Sequence, residues 1–162
     1  MNIALSESIE RFTADPAAGQ ISPKVTATLT EGRTRLGAGS FDWDTDLPQP
    51  VGGSNESPSP TAYLLGALAG CAVAFIHDTL APQFEVEITE LSATASCTTN
   101  LGGLLDVDGT TPELQQLRMK ITMSSPSPAE RVEAMQQAWL QRCPVYLALR
   151  NPNDVEINFA SQ

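Results

Sequence analysis

The residues best placed to do chemistry are two cysteines far apart in the chain. Cys71 lies in Ser57–Ala81, SPSPTAYLLGALAGCAVAFIHDTLA, a stretch with no charged residue from Ser57 to Ile76. Cys143 lies in Arg142-Cys143-Pro144-Val145. A cysteine inside a buried apolar helix is ordinarily a small hydrophobe. A cysteine where a helix begins is different, because the free N–H groups and the helix dipole favour the thiolate, the nucleophilic form. Cys143 has that setting, since Pro144 can open a short helix through Arg150. The third cysteine, Cys97, falls in a strand pattern with no polar setting and reads as structural. His77 is the single histidine and no Cys-x-x-Cys occurs, so no metal site is expected. Asp42, Asp44 and Asp46 read as a solvated strand edge, since no loop of calcium-binding spacing follows. Gly52-Gly53 lacks the Lys-Ser/Thr of a phosphate loop.

The totals narrow the setting. The 162 residues suffice for one domain with a real core: an N-terminal arm or helix over 1–20, then a single domain over 21–162. A formal charge of -10 repels phosphate, so neither nucleic acid nor an anionic membrane is an expected partner. The opening MNIALSESIERF has no basic region and no long apolar run, so no signal peptide is expected. Three cysteines cannot all pair within one chain. They read as cytoplasmic thiols, where a disulfide tends to be transient and catalytic. The fully apolar run Ala62–Ile76 is short of the roughly 18–20 residues a bilayer needs, so a buried helix is expected there.

Several elements must position the two thiols. Lys24–Thr30 alternates Val25, Ala27 and Leu29 with threonines and predicts a strand, turned by Glu31-Gly32. Arg33–Thr45 predicts the returning strand, with Gly37 and Gly39 marking a bulge or close approach. A Pro/Gly-rich loop follows, and Ser59-Pro60 can cap and open the central helix. Gly66-x-x-x-Gly70, with Ala62 and Val73, gives a small-residue face for a second helix. Gln83–Thr98 predicts a long strand with a phase shift near Thr89-Glu90, read as a bulge. Leu114–Met123 predicts another, with Leu117, Met119, Ile121 and Met123 on one face. Ser127-Pro128-Ala129-Glu130 predicts a capping box ahead of Val132, Met135 and Trp139. Asp154–Phe159 predicts a closing strand. The order gives an α+β fold with mostly antiparallel pairing.

The Gly52-Gly53 loop, Pro58-Ser59-Pro60, Leu64 to Cys71 and Cys143-Pro144-Val145 together resemble the OsmC/Ohr family. Asp46-x-Pro48 and Gly102-Gly103-Leu104-Leu105-Asp106 fit as well, and the resemblance runs from about Lys24 to Phe159. It implies an intertwined homodimer, with antiparallel sheets from both chains around long central helices. It implies a thiol peroxidase for organic hydroperoxides, with Cys71 as attacking thiol and Cys143 as resolving thiol. A dithiol such as dihydrolipoamide would reset the pair, and no cofactor is implied. In the family an arginine from the N-terminal strands offsets the cost of a buried thiolate and is held by a glutamate near the start of the central helix. Here Thr61 and Ala62 stand where that glutamate would be. Glu56 could substitute if its loop folds back, and Arg33 and Arg35 lie in the strand region.

Three readings follow. One is a cysteine-based peroxidase. The second is a non-catalytic member that binds a small apolar ligand or senses redox state. The third is a structural dimer with inert cysteines. Both cysteines favour the first, and the missing glutamate favours the second.

Overall fold

The computed structural model describes residues 3–151 and 154–160; Met1 and Asn2 of the expected arm lie outside them. Helix α1, Ile3–Ala14, is amphipathic but buries no residue, and Phe12 folds back onto Gly19 of the next turn. Strands β1 (Thr26–Thr30), β2 (Arg33–Ala38) and β3 (Phe41–Thr45) form an antiparallel meander. Glu31 and Gly32 both take positive φ, 52° and 78°, the geometry of a tight hairpin turn. The expected single strand Arg33–Thr45 is two strands, because Gly39 turns the chain at a φ of 60°.

The register aligns Ala27, Leu36 and Trp43 on one face of this sheet. Leu29 and Phe41 are 79% and 74% exposed. The sheet is tied to the central helix through Tyr63, whose hydroxyl donates to the Asp44 carbonyl at 2.7 Å and whose ring lies 6.4 Å from that of Trp43. Arg35 pairs with Asp42 and, at 3.7 Å, with Asp44.

Asp46 organises the loop into the central helix. Its carboxylate accepts the N–H groups of Leu47, Ser54 and Glu56 at 2.7, 3.0 and 3.1 Å. These bonds, that of Glu56 foremost, hold its pKa below the usual carboxylate value. Gly53 turns its back on Leu47: a Cβ there would fall 1.8 Å from the Leu47 carbonyl oxygen. Gly53→Ala is therefore expected to cost at least about 3 kcal/mol in denaturant unfolding, because backbone cannot yield. Gly52→Ala, where φ is +93° but space is open, should cost only about 1–2 kcal/mol. Equal losses at the two positions would contradict the close approach.

Helix α2 runs Pro60–Phe75. Ser59 Oγ accepts the Ala62 N–H at 3.2 Å and Pro60 opens the first turn, as the sequence predicts. The helix then continues through a π turn, Ile76–Leu80, into α3, Ala81–Phe84. Pro82 has no N–H for the carbonyl one turn earlier, and the wider turn absorbs that loss. The expected strand from Gln83 is thus helix as far as Phe84. Glu85, at φ 52°, ends it, with Val86 N–H bonded to the Ala81 carbonyl. By length and composition alone Pro60–Phe84 could cross a bilayer. Here Leu68, Ala72, Ile76, Leu80 and Ala81 are buried within the chain.

Strand β4 is Glu90–Thr98, paired antiparallel with β5, Gln115–Ser124. The apparent phase shift at Thr89-Glu90 is the start of the strand, and the register irregularity falls between Ser96 and Thr98. Leu91, Ala93 and Ala95 stand opposite Met123, Ile121 and Met119, and this face covers α2. Helix α4 is Ala129–Arg142. Its start is not the expected capping box: Pro128 stays extended, and Ser127 Oγ instead accepts the Glu87 N–H at 2.8 Å. Helix α5, Pro144–Arg150, follows after one residue. Residues 154–160 form no strand. A strand exists only in a ladder, and this segment pairs with none of the described strands; its Val155, Ile157 and Phe159 are exposed.

Candidate active site

Residue 143 is the joint between two helices. Its N–H closes α4 on the Trp139 carbonyl at 3.0 Å, and its own carbonyl opens α5 by accepting from Leu147 at 3.0 Å. Pro144 then occupies the one first-turn position where a missing N–H costs nothing. Cys143 is fully buried in the core formed by Ala72, Ile76, Leu80, Met135, Ala138 and Trp139. The side chain of Cys71 leaves α2 toward this joint, one position before the core residue Ala72.

The fold brings the two thiols together. Cys143 Sγ donates to Cys71 Sγ across 3.3 Å, though 72 residues separate them. Both are free thiols, with Cys71 partly exposed. The Val145 N–H, in the first turn of α5, is directed to Cys71. The sequence places the helix terminus with Cys143; in the structure its donor serves the other sulfur. The signal was in the motif itself, since Pro144 fixes where the helix starts and so which N–H is left free.

Burial pushes the Cys71 thiol up to about 11, with the hydrogen bond and charge of Cys143 adding to the rise and the Val145 N–H opposing it. No cationic side chain contributes to that balance. Arg33 is paired with Glu56 at 2.8 Å, both exposed, on the β2 side of the loop before α2. The loop does fold back, so Glu56 holds an arginine, yet this pair does not enter the Cys71 site within one chain. Arg35 is engaged by Asp42 and Asp44. His77 is bonded through Nδ1 to Asp78 Oδ1 at 2.7 Å on the exposed side of the π turn. Cys97 points inward from β4. Among the described residues no cluster of His, Cys, Asp and Glu could hold a metal.

Two features were not read from the sequence. Trp139 and Tyr146 pack their rings 5.2 Å apart across the joint at Cys143. Beyond Trp139, a groove of about 780 Å³ opens between β5 and α4. Helical spacing predicts only a core position for Trp139.

The sequence matches the family model described as OsmC-like protein over residues 53–158, more than half of the chain. No curated protein matches it. The fold is similar to that of an OsmC-like protein from Mycoplasma pneumoniae, with a TM-score of 0.66 at 20% identity, covering 81% of this chain and 89% of that one. It is also similar to an organic hydroperoxide resistance protein OsmC from Legionella pneumophila, with a TM-score of 0.56 at 16% identity, covering 82% and 91%. An organic hydroperoxide resistance protein from Elizabethkingia anophelis gives 0.57 at 14% identity, covering 81% and 89%. At these identities the likeness is one of fold.

Proposed function

Because the chain belongs to the OsmC-like family, we propose that it is a thiol peroxidase that reduces organic hydroperoxides. The observation that carries this reading is the 3.3 Å approach of Cys71 and Cys143 in an apolar setting. The Cys71 thiolate attacks the peroxide oxygen, the O–O bond breaks, and the alcohol leaves with a proton. The resulting sulfenic acid condenses with the Cys143 thiol, forming a disulfide and releasing water. A disulfide needs about 2.05 Å between sulfurs, a closure within reach of side-chain rotation. A dithiol such as dihydrolipoamide then restores both thiols by exchange. Names of similar structures, the organic hydroperoxide resistance proteins above, support the substrate class.

The reading includes a homodimer. The chain exposes 11990 Å², whereas a folded monomer of 17.3 kDa exposes roughly 7,800 Å². The bare sheet face at Leu29 and Phe41 and the segment Val155–Phe159 lack cover. Gly66 and Gly70 of α2 are also open: a Cβ at either would meet nothing within 4 Å. A second copy covers such surfaces and brings its own Arg33–Glu56 pair toward Cys71, supplying the cation that one chain lacks. The cytoplasm, with its reduced thiols, suits the reaction.

A second reading is favoured by the burial of Cys71 with no cationic side chain beside it in the chain, which pushes the thiol up to about 11: a non-catalytic member that binds an apolar ligand or senses redox state. Turnover separates the two. With dihydrolipoamide, cumene hydroperoxide should be consumed catalytically, and at least about tenfold faster than hydrogen peroxide, because apolar walls select apolar substrates. No consumption beyond the blank would leave the second reading.

A further inference from the structure

Every methionine after Met1 lines the open groove between β5 and α4. The three differ in cover. Met119 and Met123 flank Ile121 on one face of β5, opposite Ala95 and Leu91, and both are only partly buried. Met135, on α4, is fully buried in the core. Neither Cys71 nor Cys143 lines the groove. Two reachable thioethers therefore lie together, away from the thiol pair, and a third beside them is sealed.

A thioether needs no deprotonation to act as a nucleophile. Its sulfur attacks the terminal oxygen of a hydroperoxide and the O–O bond breaks. The sulfur is oxidised to a sulfoxide, the peroxide is reduced, and the proton on the transferred oxygen passes to the departing alkoxide to give the alcohol. The change turns an apolar side chain into a polar one. Met119 and Met123 pack against the core through the face of β5 that covers α2. A polar oxygen on that face lacks a hydrogen-bond partner there and weakens the packing.

We propose that Met119 and Met123 form a second peroxide-reactive site, oxidised once each by organic hydroperoxides to methionine sulfoxide, and that these sulfoxides loosen β5 from the core. The site is stoichiometric where the thiol pair is catalytic, and it does not depend on Cys71.

The test uses the Cys71→Ser protein in excess tert-butyl hydroperoxide without reductant, followed by peptide mass mapping over time. Met119 and Met123 should each gain one oxygen at least about tenfold faster than Met135, which reacts only when the core opens. The difference should vanish in urea-unfolded protein. The rates should stay flat across the pH range in which a thiol titrates. The oxidised protein should then unfold at lower urea than the untreated one. Met119→Leu with Met123→Leu, a volume-conserving pair of changes, should abolish that fall. The wild type should give the same sulfoxides, so this site and the peroxidase reading are judged separately. Met119 and Met123 as slow as Met135 would overturn the proposal, including the case in which a second copy covers the groove. So would sulfoxides that leave the unfolding midpoint unmoved, or a fall that persists in the double-leucine protein.

Discussion

Treated with one equivalent of cumene hydroperoxide, the protein is expected to lose two hydrogens within seconds, and peptide mapping should place the loss in a Cys71–Cys143 disulfide. The 3.3 Å separation makes this pairing specific, with Cys97 left reduced on β4. Cys71→Ser removes the nucleophile, and the rate of peroxide loss should fall at least about a thousandfold. Cys143→Ser should separate the steps. The first oxidation survives, the sulfenic acid is trapped by dimedone at Cys71, and turnover with dithiol collapses. The buried position of Cys143 sets the order, because a peroxide meets Cys71 first. Two thiols that stay reduced, or oxidation scattered over all three cysteines, would remove the peroxidase reading.

The second large effect is in the pH dependence of Cys71. Within one chain burial holds the thiol near 11, so the thiolate fraction at neutral pH is small and rises about tenfold per pH unit until that value. In the proposed homodimer, an Arg33 brought beside the sulfur by the second copy would favour the charged form and move the plateau down. The wild-type rate of iodoacetamide alkylation at Cys71 is therefore expected to level off below about pH 8.5, the ordinary thiol value. Arg33→Ala should still be climbing at about pH 10. Glu56→Gln should fall between, since the arginine loses its anchor at 2.8 Å. Arg35→Ala should follow the wild type, because Arg35 is spent on Asp42 and Asp44. A wild-type profile that climbs as steeply as that of Arg33→Ala would exclude the arginine and favour ligand binding.

Periodicity made the scaffold legible where one face of an element is buried. Met119, Ile121 and Met123 alternate because they cover α2, and Ser59-Pro60 opens that helix by purely local chemistry. It misled where alternation was accidental. Phe84, Val86 and Ile88 have strand spacing, yet Phe84 ends a helix whose course depends on Pro82 and the π turn. Ser127 has the spacing of a cap but is taken by Glu87, a partner 40 residues away. Val155, Ile157 and Phe159 alternate as a strand would, yet they are exposed and pair with none of the described strands. The two cysteine motifs were legible as motifs. That Val145 donates to Cys71, and that Arg33 meets Glu56 away from the thiols, depends on how a loop and a helix joint turn in space.

In the proposed peroxidase cycle, the seat of Cys143 at the closed joint of two helices decides how electrons enter and leave. Once the pair is oxidised, the inner sulfur has no path to solvent, so an incoming dithiol must strike the sulfur of Cys71. Oxidant and reductant thus share one doorway and exclude each other from it. Such traffic gives ping-pong kinetics in which excess dithiol slows peroxide reduction. The expelled Cys143 sulfur returns to the core each cycle without having touched either substrate.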